Sequence, residues 1–163
     1  MSSILVGVDG SPESRAALAF AVEEARLFDR QLTVMYVYRV PDEADLPLMS
    51  AHFPSSGTIQ QQAGASRRTH DEHQEAAQRH AEGVLARIVS EEVDEADRGR
   101  VKTVAIPGRP AQRLIEASSD ADLLVVGSRG RGGFTDLRLG SVSNQCVRHA
   151  KCPVMVLRGQ KDR

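Results

Sequence analysis

Five short apolar runs punctuate the chain, at Ile4–Val8, Leu32–Val37, Val101–Ile106, Leu123–Val126 and Val154–Leu157. The first is continuous rather than alternating, as a strand buried on both faces of a parallel sheet requires. Between the runs the apolar residues recur at three- and four-residue spacing. Leu18, Ala21, Val22 and Ala25 form one such stripe, and Ala77, Ala81, Val84, Leu85 and Ile88 another. Each stripe predicts a helix with one buried face. The first helix starts after Ser11, a good N-cap, with Pro12 at its first position and Glu13 at the favourable end of the dipole, and it runs to about Phe28. The second is expected from about Thr69 to Glu92. Shorter helices are expected at Ala111–Ser118 and about Val142–His149. Strands alternating with helices predict a doubly wound α/β sheet. In such sheets ligands sit beyond the carboxyl ends of the strands.

One stretch breaks the rhythm. Residues 39–68 carry Pro41, Pro47, Pro54, Gly57 and Gly64 among Ser, Gln and Ala. The expectation is a long loop, inserted into a single domain of residues 1–158, with a polar tail at 159–163. A loop of that length serves as a lid, a partner contact or a disordered segment.

Composition narrows the class. Of 163 residues, 40% are hydrophobic and 26% charged, as in ordinary globular proteins. The net charge of −1 argues against non-specific binding to nucleic acid or membranes. No apolar run approaches the ~20 residues that span a bilayer. The N-terminus enters a strand without the n-region or h-region of a signal peptide, so the expected location is cytoplasmic. Cys146 and Cys152 form no C-x-x-C pair and read as small buried apolar side chains.

The chemistry concentrates after the fourth strand, in Val126 to Val142. A strand, a glycine-rich loop and a helix N-terminus follow one another there. Backbone N–H groups at a helix start lack intrahelical acceptors and carry partial positive charge, which a phosphate satisfies. Arg129, Arg131 and Arg138 add formal charge. The spacing excludes two familiar phosphate loops. No Lys follows the glycines, so this is not a Walker A loop. Gly130 and Gly132 are followed by Thr135, so it is not the dinucleotide fingerprint.

Gly127, two residues, Gly130, nine residues and Gly140-Ser141 are what the loop contains. This spacing resembles the G-2x-G-9x-G-(S/T) signature of the ATP-binding branch of the universal stress protein family. The likeness extends to the Ile4–Ser11 stretch, the Gly108-x-Pro110 loop, Asp122–Ser128 and His149–Val154. It implies an open parallel sheet of order 3-2-1-4-5 with helices on both faces, Rossmann-like and similar to the adenine nucleotide alpha hydrolases. It implies a homodimer as well. Asp9 would sit near adenine and ribose, with Gly7 and Val8 beside it. Val37 would offer backbone groups to the base, and Gly127 would lie under the ribose. Gly130, Gly140, Ser141 and Val142 would hold phosphates, with Arg129 close by. The implied ligand is ATP, or ADP or AMP, with Mg²⁺.

The residues themselves leave alternatives open. Asp9 either contacts ligand or caps the first helix. Ser141 either donates to a phosphate or caps the fourth helix by accepting from Ser143 or Asn144. His70, His73 and His80 lie among acidic residues and read as a solvated face rather than a metal site. No catalytic residue stands out. The competing classes are a nucleotide-binding regulatory protein, a slow ATPase and a nucleotide-independent dimeric module. The apolar strand Val154–Leu157, with no charge before Arg158, is the expected dimer edge.

Overall fold

The computed structural model describes residues 3–40, 59–130 and 139–159. Strand β1 (Ser3–Val8) leads into helix α1 (Pro12–Leu27), and β2 (Gln31–Tyr38) completes the first unit. Helix α2 (Ile59–Glu92), a 3-10 turn at Glu95–Arg100 and strand β3 (Val101–Pro107) follow. Then come α3 (Pro110–Ala117), β4 (Leu123–Gly127), α4 (Ser141–His149) and β5 (Val154–Leu157). The five strands form one sheet of order β3-β2-β1-β4-β5, with every pairing parallel. The expected strand order and the placement of β5 at an edge are therefore what the chain adopts.

Strand β1 is central because its side chains serve both faces. Ile4, Val6 and Val8 join Leu18, Ala21, Val34, Leu85 and Ile88 in a core beneath α1 and α2. Leu5 points the other way and joins Met35, Leu114, Leu124 and Cys146 beneath α3 and α4. A continuous apolar run in a parallel strand is thus divided between two cores.

One boundary differs from expectation. Helix α2 begins at Ile59, about ten residues before Thr69. The stretch Gln60-Gln61-Gln62-Ala63 and Arg67-Arg68 is rich in good helix formers, and Gly64 weakens a helix without ending it. The last ten residues of the expected loop are thus helical, and residues 41–58 lie outside the described ones. From Asp71 to Ala76 every side chain of α2 is exposed, so this part of the helix packs on nothing described. Among the described residues, no helix is long and apolar enough to cross a membrane.

Candidate functional site

The order of the strands reverses between β1 and β4: from β1 the chain builds outward through β2 and β3, then returns to place β4 on the other side. Beyond the carboxyl ends of these strands lies a cleft of about 320 Å³. It is lined by Gly7, Val8, Asp9, Val37, Gly127, Arg129, Gly130, Gly140, Ser141 and Val142. The structure thus brings all ten sequence-derived candidates to one place. Six further residues line it: Ser14, Met35, Pro110, Leu114, Val126 and Ser143. The apolar members among them give no sequence signal, because each is indistinguishable from core. Arg131 and Arg138 lie outside the described residues.

The first strand-to-helix turn is closed by its own side chains. Asp9 Oδ1 accepts from Ser11 N–H at 2.9 Å and from Ser11 Oγ at 2.6 Å. Ser11 Oγ in turn accepts from Ser14 N–H at 3.2 Å, the N-cap bond of α1. Asp9 therefore secures the residue that caps the helix. Its other oxygen faces the glycine loop, since a Cβ built on Gly130 would lie 2.6 Å from Asp9 Oδ2.

Two glycines of the cleft stand in close contact, one against backbone and one against the tip of a side chain. A Cβ on Gly127 would come 2.8 Å from the backbone carbon of Glu13, so β4 ends hard against the first turn of α1. A Cβ on Gly7 would meet Leu114 Cδ1 at 2.8 Å.

The second turn is built differently. Ser128 O accepts from Gly140 N–H at 2.7 Å and from Ser143 Oγ at 3.0 Å, which clasps the base of the glycine loop. Gly140, not Ser141, is the N-cap of α4, and no side chain caps it. Ser143 Oγ, the nearest candidate, donates instead to Ser128 O and Gly140 O. The first helical bond runs from Asn144 N–H to Gly140 O, so the N–H groups of Ser141, Val142 and Ser143 precede the ladder. They stand at the positive end of the helix dipole, where the cleft lies.

Two formally charged side chains are among the described lining residues, Asp9 and Arg129. Arg129 Nη2 is 3.5 Å from Glu13 Oε1, and both groups are largely withdrawn from solvent. Met35, Val37, Pro110, Leu114 and Val126 supply the apolar part of the lining. The arrangement suits a ligand with one flat apolar part and one anionic part. His73 and His80 are exposed on α2, and the described residues contain no cluster of three or more potential metal ligands. Cys146 is fully buried and burial pushes its thiol up to about 11; Cys152 is half-buried.

A model of the universal stress protein family matches residues 1–158. A universal stress protein of Mycobacterium tuberculosis is 33% identical over 155 residues, covering 95% of this chain and 45% of the relative. The chain spans about half the length of the curated relatives it matches. Two solved structures share the fold. One is a universal stress protein family member from Arabidopsis thaliana with AMP bound, at TM-score 0.60 and 18% identity, covering all of this chain and 95% of that one. The other is the Archaeoglobus fulgidus universal stress protein in complex with dAMP, at TM-score 0.53 and 18% identity, with 96% and 98% of the two chains covered. The strand order, the clasped glycine loop and a family match over nearly every residue agree, and this chain belongs to the universal stress protein family.

Proposed function

We propose that the cleft binds an adenine nucleotide, ATP in the first instance, and that the protein acts as a nucleotide-responsive regulator rather than a catalyst. The observation that carries this reading is the uncapped N-terminus of α4, which shares with Gly130 and Arg129 a cleft partly lined by apolar side chains. The base lies against Met35, Val37 and Leu114. Asp9, at the mouth of β1, accepts from ribose hydroxyls or the adenine amino group. The phosphates take the N–H groups of Ser141 and Val142, with the guanidinium of Arg129 alongside. Family members with AMP and dAMP support an adenine ligand in this fold.

Mg²⁺ fits only as a companion of the nucleotide. Asp9 is the one carboxylate among the described lining residues, and Mg²⁺ keeps waters and phosphate oxygens as its main ligands. Hydrolysis should be slow or absent. Phosphoryl transfer to water needs a residue that positions the nucleophile, and Asp9 Oδ1 is already engaged by Ser11. Calorimetric titration with ATP, ADP and AMP, each with and without Mg²⁺, tests the binding. Mass spectrometry of nucleotide released from the denatured protein tests it independently. No heat and no released nucleotide would overturn the reading. Phosphate release at the ~1 to 10³ s⁻¹ of ordinary enzymes would move the protein to the ATPase class.

The same reading includes a homodimer through β5. Its backbone is paired with β4 on one side only, and Met155 is 41% exposed beside it. A second copy across a two-fold axis would satisfy the open edge. Val156 packs against the core beneath α3 and α4, so the probe is the exposed neighbour: Met155→Lys should sediment as a folded monomer where the wild type sediments as a dimer.

A further inference from the structure

We infer that Glu13 is a positioning residue that sets how much phosphate charge the cleft accepts, by holding Arg129 and opposing the incoming anion; this rests on the nucleotide reading above. Glu13 lies in the first turn of α1, where its charge suits the dipole and no cleft role is required. Its placement is nevertheless fixed by the cleft. Its backbone packs against Gly127 so closely that a Cβ there would lie 2.8 Å away. Its side-chain stem abuts Gly159, just after β5, where a Cβ would come 3.3 Å from Glu13 Cγ. Hemmed in on both sides, the carboxylate reaches Arg129 Nη2 at 3.5 Å. Its side chain is only 17% exposed, so the pair is screened less than a surface ion pair.

The consequence is a charge balance. Arg129 is the one cation among the described lining residues, and Asp9 lines the same cleft with the opposite charge. Glu13 adds a negative charge beside the Arg129 guanidinium. A phosphate must share Arg129 with Glu13 and approach within reach of its field. The penalty grows with ligand charge, so it is absent for adenosine, moderate for AMP and largest for metal-free ATP. Glu13 therefore favours the less charged nucleotide, or ATP neutralised by its own Mg²⁺.

The test is a calorimetric series of adenosine, AMP and ATP in metal-free, low-salt buffer, on the wild type, Glu13→Gln and Glu13→Asp. Glu13→Gln should bind adenosine unchanged, AMP about threefold tighter and ATP about tenfold tighter. Those gains should shrink in about 0.5 M salt. Glu13→Asp keeps the charge and should stay within about twofold of wild type for all three. Should Gln disturb the packing on Gly159, Glu13→Ala supplies a second neutral side chain with the same expected order. An equal change for all three ligands, or weaker ATP binding in the neutral variants, would overturn the inference while leaving the nucleotide reading intact. A wild type that binds none of the three would overturn both.

Discussion

Two helices begin beside the same cleft, and they begin in opposite ways. Helix α1 arrives fully provided for. Ser11 caps it, Asp9 holds Ser11, Pro12 occupies the first turn and Glu13 supplies a negative charge there. Helix α4 has a glycine at the cap, no acidic residue in its first turn and no side-chain cap. The adjacent hydroxyl of Ser143 is spent on clasping the loop. Each helix has the same orphan donors by geometry. In one they are answered by the protein's own side chains, and in the other they are left facing a cleft. A helix start that the protein does not complete is a place where a ligand completes it.

The sharpest way to break this contrast is to give α4 the cap it lacks. Gly140 has φ −69° and ψ 167°, a conformation any residue adopts, and a Cβ there would sit 3.4 Å from Arg129 Cα and Ser128 O. Gly140→Asp should therefore fold, with thermal stability equal to wild type or a few tenths of a kcal/mol higher. Its carboxylate would occupy the N–H donors proposed here for phosphate. Calorimetry should show adenine-nucleotide affinity reduced by about a hundredfold or more. Retained affinity would mean that the phosphates do not sit at this helix start.

The next effect tests the close approach of β4 to the capped helix. Gly127→Ala forces a Cβ against Glu13 backbone at 2.8 Å, which no rotamer change relieves. Overpacking of this kind costs about 1–3 kcal/mol. Chemical denaturation should show the loss, with nucleotide present or absent.

The strand order is legible in the chain from local pattern and the family resemblance, and the ten candidate residues, most of them carried by that resemblance, come together at one cleft. Continuous apolar runs mark the strands, and the spacing of Gly127, Gly130 and Gly140 marks the loop. The apolar part of the lining is not legible. Met35 and Leu114 look like any core residue until the topology leaves one side of each open. Ser141 is a plausible cap by residue type, but Gly140 takes that position, because the chain turns one residue earlier to let its N–H reach Ser128 O. The start of α2 at Ile59 escapes a periodicity reading because its first turns show no apolar stripe to count, only residues with favourable intrinsic propensity.

Without a cap, α4 depends on packing, and Cys146 is its fully buried anchor. Burial raises this thiol from its ordinary 9.0 to about 11. Its contribution is complete below pH 9 and is lost as pH rises toward 11, because the unfolded thiol ionises first. Unfolding free energy should fall by about 2 kcal/mol across that window, and Cys146→Ala should flatten the dependence. The smallest effect belongs to α1. Ser11→Ala removes one cap and one partner of Asp9, and should cost about 1 kcal/mol. Any change in nucleotide affinity should come through Asp9, which loses its Ser11 Oγ partner, and not through the phosphate donors proposed on α4.

The bare backbone at the bottom of the cleft also limits how this scaffold can be re-engineered. Gly127 presents hydrogen where any other residue would strike the Glu13 backbone, and a Cβ on Gly7 would have to displace the methyls of Leu114. A library aimed at new ligands would waste its diversity on those positions. Met35, Val37 and Leu114 offer side chains whose shape can be varied, and under the proposed nucleotide reading they are where altered base preference would be sought.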